Sequence, residues 1–163
     1  MAILDSGSRR EFEVNGVKTG AIRDVSDGKG RCDLLPLDVV GTVLNDSILS
    51  DINAYIRSGN KMNLVDAICL FAANNFGNMY TAMLEVSRHY EEGAKKYEER
   101  NWEKGIPLHC YIDSGIRHYM KYKRGDKDEP HDRAFIWNLL GAIWTQDNMP
   151  ELIDLPFAEK QVV

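Results

Sequence analysis

The stretch PLDVVGTVLNDSILSDINAYIRSGN (36–60) decides the fold class. Val40, Leu44, Ile48, Ile52 and Ile56 recur every fourth residue, which marks one face of an amphipathic helix. Ser58-Gly59-Asn60 ends it. The same helical period continues downstream. A second helix is expected over about Leu64–Asn75, with Asn63 as N-cap and Gly77 as the C-terminal stop. A third runs from about Met79 to Glu103 with Tyr80, Met83, Leu84, Tyr90, Ala94 and Tyr97 as its apolar stripe. Gly93 weakens it locally, and Gly105 and Pro107 close it. A fourth spans about His109–Lys123 and buries Ile112, Ile116, Tyr119 and Met120. A fifth opens at Asp128-Glu129-Pro130, where acids and a proline suit a helix start, and runs to about Trp144. Pro150 and Pro156 punctuate a surface tail. Upstream, residues 1–35 are broken by Gly7, Gly16, Gly20, Gly28 and Gly30, so only short strands or an ordered arm are expected there. The reading is an all-α bundle of about five helices (36–163) with an irregular N-terminal arm (1–35).

A chain of 163 residues holds one compact domain with a proper core. Its net charge of −5 argues against a nucleic-acid polymer as partner, though not against one phosphate tail met by a local basic patch. The three cysteines, Cys32, Cys69 and Cys110, are widely spaced and contain no CxxC, so neither a disulfide framework nor a zinc ribbon is expected. Cys69 reads as a small buried hydrophobe. A reducing compartment, the cytoplasm, follows. MAILDSGSRREF lacks an apolar signal core, and no apolar run approaches the ~20 residues that span a bilayer.

All four histidines, His89, His109, His118 and His131, fall between 89 and 132, among the runs RHYEEGAKKYEERNWEKG (88–105), DSGIRHYMKYKRG (113–125) and DEPHDRAFIWN (128–138). Alternating carboxylates, imidazoles and cations suit a divalent metal with a phosphorylated ligand. Glu129 and Asp132 share a helical face at i,i+3 and reach one metal, or they cap a helix start. His131 lies between them. Asp113 and Arg117 are i,i+4, with Lys121 continuing the stripe. They form either an intrahelical ion pair or a metal-binding Asp113 beside two phosphate-collecting cations. His118 points roughly 140° from Asp113 and is expected to orient a neighbour or contact substrate. Glu91–Lys95 and Glu92–Lys96 read as i,i+4 pairs on a solvated face. Trp102, after Asn101, packs or stacks on a base. Gly28-Lys29-Gly30-Arg31 can wrap a phosphate, its glycines allowing close backbone approach, but it is only a tetrapeptide and not a Walker A motif.

The runs GAKKYEERNWEKG (93–105), IDSGIRHYMKYKRG (112–125) and DEPHDRAFIWNLL (128–140), with TGAIRDVSDGKGRCDLLPLDVV (19–40) upstream, resemble the dATP/dGTP diphosphohydrolase family. These are divergent relatives of the all-α MazG-like nucleotide pyrophosphohydrolases, found largely in phages, and the resemblance covers most of 19–144. It implies a four-helix site holding Mg2+ or Mn2+, a homo-oligomer, and hydrolysis of a purine deoxynucleoside triphosphate, dGTP or dATP, to the monophosphate and pyrophosphate. For phage members the compartment is the host cytoplasm. Those called MazZ supply dGMP for 2-aminoadenine DNA. Relatives use ExxE and ExxD motifs. Glu129 and Asp132 match the ExxD, no ExxE occurs, and Asp113 stands in, with Glu92 or His118. Lys96, Arg117 and Lys121, with Lys29 and Arg31, are the expected phosphate cations, and Asn101 or Trp102 the base contacts. Two alternatives are open: an HD-type phosphohydrolase using His118, His131-Asp132 and Asp147 or Asp154, and a non-enzymatic interaction protein.

Overall fold

A computed structural model describes residues 8–161. Helices dominate: α1 (Leu37–Leu44), α2 (Ser47–Ser58), α3 (Met62–Phe76), α4 (Met79–Lys96), α5 (Leu108–Arg124) and α6 (His131–Asn148). Among the described residues the remaining regular structure is one hairpin, β1 (Arg9–Val14) and β2 (Val17–Asp24), together with short 3-10 turns. The all-α bundle with an N-terminal arm is therefore what the chain forms.

The face running from Val40 to Ile56 is carried by two helices instead of one. Asn45 takes a left-handed conformation and ends α1, and Asp46 starts α2 by accepting from the amides of Ile48 and Leu49. The other Asp46 oxygen accepts from the Tyr119 hydroxyl, so this N-cap also ties α2 to α5. Ile48, Ile52 and Ile56 are buried, whereas Leu44 is exposed. The helix over 79–103 is also shorter than its period suggests. It stops at Lys96, and Asn101–Lys104 forms a separate turn. Tyr80 and Leu84, read above as part of its apolar stripe, face outward, as does Cys69. The α3 N-terminus falls one residue before Asn63, and Asn60 accepts from the Met62 amide.

The core centres on Phe71, whose ring meets Tyr119, Tyr122 and Phe135 edge-on at 5.9, 5.3 and 4.8 Å. Helices α5 and α6 pack closely, with Gly141 admitting the Tyr111 ring. The arm is pinned to this bundle. Asn15-Gly16, both at positive φ, make the tight turn between the antiparallel strands. Phe12 and Ala21 join the core. The Asn101 side chain pairs with both the amide and the carbonyl of Ile22 at 2.8 Å, and the Thr19 hydroxyl donates to Gly105 at 2.6 Å. The strand β2 thus lies along the 101–105 turn and roofs the space between α4, α5 and α6.

Candidate active site

That space is a cleft of about 460 Å³. Its lining includes Arg10, Arg23, Lys29, Lys96, Arg117 and Lys121, a dense set of cations in a protein of net charge −5. Tyr90, Trp102 and Trp137 supply aromatic wall. Such a surface suits an anionic ligand that also carries a ring.

Three of these cations, Arg117, Lys29 and Lys96, are placed by local devices. Arg117 donates to Asp113 at 2.6 Å and to the Gly30 carbonyl at 2.6 Å, while Asp113 accepts from the Cys32 amide at 2.7 Å. This buried pair on α5 clamps the loop 28–32, where Gly28 and Gly30 sit at positive φ, and Lys29 is carried over the cleft. Lys96 is salt-bridged to Asp24 at 2.8 Å, and Asp24 also accepts from the Tyr97 hydroxyl.

At one end, ligand atoms of His118, Glu129 and His131 lie within 4.8 Å of one another. Nδ1 of His118 is 2.9 Å from Nδ1 of His131, and Nε2 of His131 is 2.7 Å from Asp128 Oδ1. The carboxylate of Asp128 accepts, so His131 carries its proton on Nε2. Its Nδ1 is then an acceptor, and Nδ1 of His118 donates. Nε2 of His118 is left with a lone pair. Burial, then the neighbouring His131, pushes the His118 imidazolium well below its usual range and keeps the ring neutral. Burial also raises the Glu129 carboxyl and lowers Lys29. Both are groups whose charged forms gain from an oppositely charged partner. With both His131 nitrogens hydrogen-bonded, the His118 imidazole and the Glu129 carboxylate are a chemically sound pair of protein donors for a divalent ion. Mixed nitrogen and oxygen donors favour Mn2+ over Mg2+, which prefers oxygen alone.

Several expected ligands stand elsewhere. The ExxD of Glu129 and Asp132 is not one helical face. Pro130 holds the N-cap position at non-helical angles (φ −77°, ψ 75°) and the helix begins at His131, so Glu129 precedes it. Asp132 accepts from the Arg133 amide and enters neither of the two three-residue donor groups among the described residues. Asp113 is committed to Arg117 and Cys32, and Glu92 to Arg133 at 2.7 Å. Asn101 is spent on Ile22, and Arg31 pairs with Asp33 outside the cleft. Trp102 lines the cleft while packing edge-on to Trp144 at 5.0 Å. Of the HD-type ligand set, His118 and His131 come together, whereas its later acids are engaged elsewhere. Asp147 pairs with Lys61, and Asp154 with His109.

The sequence reading missed Arg23, His89, Asp128 and Asn138, all lining the cleft. The signal for Arg23 was present: Asn15-Gly16 between two strand-like runs is a hairpin signature, and it fixes which residues β2 presents.

The chain belongs to the dATP/dGTP diphosphohydrolase N-terminal family, whose model matches residues 57–154, more than half its length. That span contains α3 to α6, the His118–Glu129–His131 group and all three residues of the cleft's aromatic wall. No curated protein and no solved structure matches the chain.

Proposed function

We propose that this protein hydrolyses a purine deoxynucleoside triphosphate between its α and β phosphates, giving the monophosphate and pyrophosphate. The observation that carries the reading is the cationic, aromatic-walled cleft ending at His118 and Glu129, in a chain of this family. Both nitrogens of His131 are hydrogen-bonded, so Nε2 of His118 and the Glu129 carboxylate would hold a divalent ion. That ion would supply Lewis acidity to the phosphates and to the attacking water. Lys29, Lys121 and Arg117 offset the remaining phosphate charge. Water attacks the α-phosphorus, the bond to the α–β bridging oxygen breaks, and the water proton passes to the free oxygen of Glu129. Pyrophosphate leaves with the bond electrons.

No helix among the described residues is long and apolar enough to cross a membrane. We place the enzyme in the cytoplasm, as a homo-oligomer, in phage nucleotide metabolism, with dGMP for 2-aminoadenine DNA as one destination of its product. The deciding experiment incubates the pure protein with dGTP or dATP and Mn2+ or Mg2+ and separates products by ion exchange. Monophosphate with pyrophosphate is expected, faster with Mn2+. Nucleoside with triphosphate, or no turnover, overturns the reading. In parallel, Mn2+ should raise the melting temperature more than Mg2+, and Glu129→Gln should remove that difference.

A further inference from the structure

A second group of chemically able side chains lies where the 150–157 tail crosses the start of α5. Asp154 accepts from the His109 amide at 2.8 Å and from its Nδ1 at 2.5 Å, which fixes the ring and places a proton on that nitrogen. The other nitrogen, Nε2, lies 3.5 Å from Sγ of Cys110. A carboxylate that orients an imidazole, which in turn meets a thiol, is an arrangement that activates a cysteine nucleophile. None of these three residues lines the substrate cleft. His109 and Asp154 instead face a second cavity of about 450 Å³, beside Arg31 and Arg57.

The electrostatic surroundings agree with the geometry. The Asp154 bond, then Cys110, raises the His109 pKa to about 10, so the ring is charged at neutral pH. Arg10 of β1 and Arg31 of the loop before α1 both sense Cys110 as a nearby charge. Asp113, one turn along α5, is paired with Arg117. Thiols react as thiolates, and an adjacent imidazolium beside further cations is a common way to supply that form. The other two cysteines lack this setting. Cys69 is exposed, and burial pushes the half-buried Cys32 thiol up.

We infer that Cys110, with His109 and Asp154, is a modification site whose reagent is hydrogen peroxide. Burial sets the size of the reagent. Cys110 is 3% exposed and meets the second cavity only past the His109 ring, so a molecule little larger than water reaches it ahead of bulkier electrophiles. Sγ, its proton held by His109, attacks one peroxide oxygen and the O–O bond breaks. The sulfur is oxidised to a sulfenic acid and the peroxide is reduced. The leaving hydroxide takes the proton from Nε2 and departs as water. The hydrolase reading is not needed for this step, and its test contains no nucleotide.

Native protein is exposed to hydrogen peroxide, quenched with catalase, and unfolded in urea containing dimedone, which traps sulfenic acid. Peptide mass spectrometry then reads each cysteine. Burial alone would order the rates as Cys69, Cys32, Cys110. The expected order puts Cys110 first. An ordinary thiol is only a few per cent ionised at neutral pH, so His109→Gln should slow oxidation at Cys110 at least ~10-fold. Asp154→Asn keeps an acceptor for the His109 amide and should slow it less. Neither variant should change Cys69, and an unchanged rate at Cys32 shows that the variant is folded. The order in the wild type decides without any variant: oxidation of Cys69 ahead of Cys110 overturns the proposal. One rate at Cys110 in the wild type and in both folded variants overturns it as well.

Discussion

Asp128, one turn outside α6, holds Nε2 of His131 at 2.7 Å and thereby determines which nitrogen of His118 keeps its lone pair. The carboxylate is exposed, and its pKa is lowered chiefly by the hydrogen bond from His131. It touches no expected substrate atom, so it acts as a positioning residue. Through His131 it fixes the tautomer of His118, the proposed histidine donor; losing such outer support typically costs roughly 10–100-fold in metal affinity or activity, and Asp128→Ala should fall in that range. Asp128→Asn retains an acceptor and should lose much less. Manganese titration followed by water-proton relaxation checks this alongside kcat. Equal metal affinity in wild type and the alanine variant would show that the His131 tautomer does not matter.

Asn101 makes a second kind of prediction, about the arm. Its amide completes both backbone groups of Ile22, so Asn101→Ala leaves a donor and an acceptor without their partner, at roughly 1–3 kcal/mol for each that stays buried. Because β2 carries Arg23 and Asp24 into the cleft, the loss should appear as faster amide exchange over 17–24 and a higher KM. Unchanged exchange there would mean that Phe12, Ala21 and Thr19 suffice to dock the hairpin.

The tail predicts a pH dependence. Asp154 accepts from both the His109 amide at 2.8 Å and its Nδ1 at 2.5 Å, fastening residues 150–157 to the start of α5. The Asp154 bond, followed by Cys110, raises the His109 pKa to about 10. A folded-state value above the unfolded 6.5 means that this stabilisation is complete below pH 6.5 and is lost as pH rises towards 10. Both side chains are about a third exposed or more, so solvent screening limits the effect to roughly 1 kcal/mol. Urea midpoints at pH 6 and pH 10 should differ more for the wild type than for His109→Gln. Parallel behaviour of the two would remove the ion pair from the account.

How much of this was legible follows from where each signal lives. The helical period from Val40 to Ile56 is local, and it correctly gives an all-α chain. The break at Asn45 is hidden because apolar residues keep the same spacing across it, while the cap that makes it, Asp46, is rewarded by Tyr119 far along the chain. The cations of the cleft, Lys29, Lys96, Arg117 and Lys121, were readable as basic residues near glycines and acids. The sequence spacing of Glu129 and Asp132 misled because one proline moves the helix start between them. Arg23 and Asn138 are separated by more than a hundred residues, and only the docking of β2 onto the 101–105 turn brings both to one cavity.

The junction of α5 and α6 sets a last prediction. A Cβ at Gly141 would fall well inside van der Waals contact with several ring carbons of Tyr111, which is fully buried. Neither the ring nor the helix has room to yield, so Gly141→Ala should lower stability by roughly 1–3 kcal/mol despite the better helix propensity of alanine. The m-value should stay constant while the urea midpoint falls. Tyr111 also leans on Trp137 at 5.7 Å, so displacing it should disturb the aromatic platform of the cleft as well. Tryptophan fluorescence of the native variant should therefore shift, and nucleotide affinity should drop more than the stability change alone explains. A native spectrum and full affinity in a destabilised variant would confine the glycine to packing.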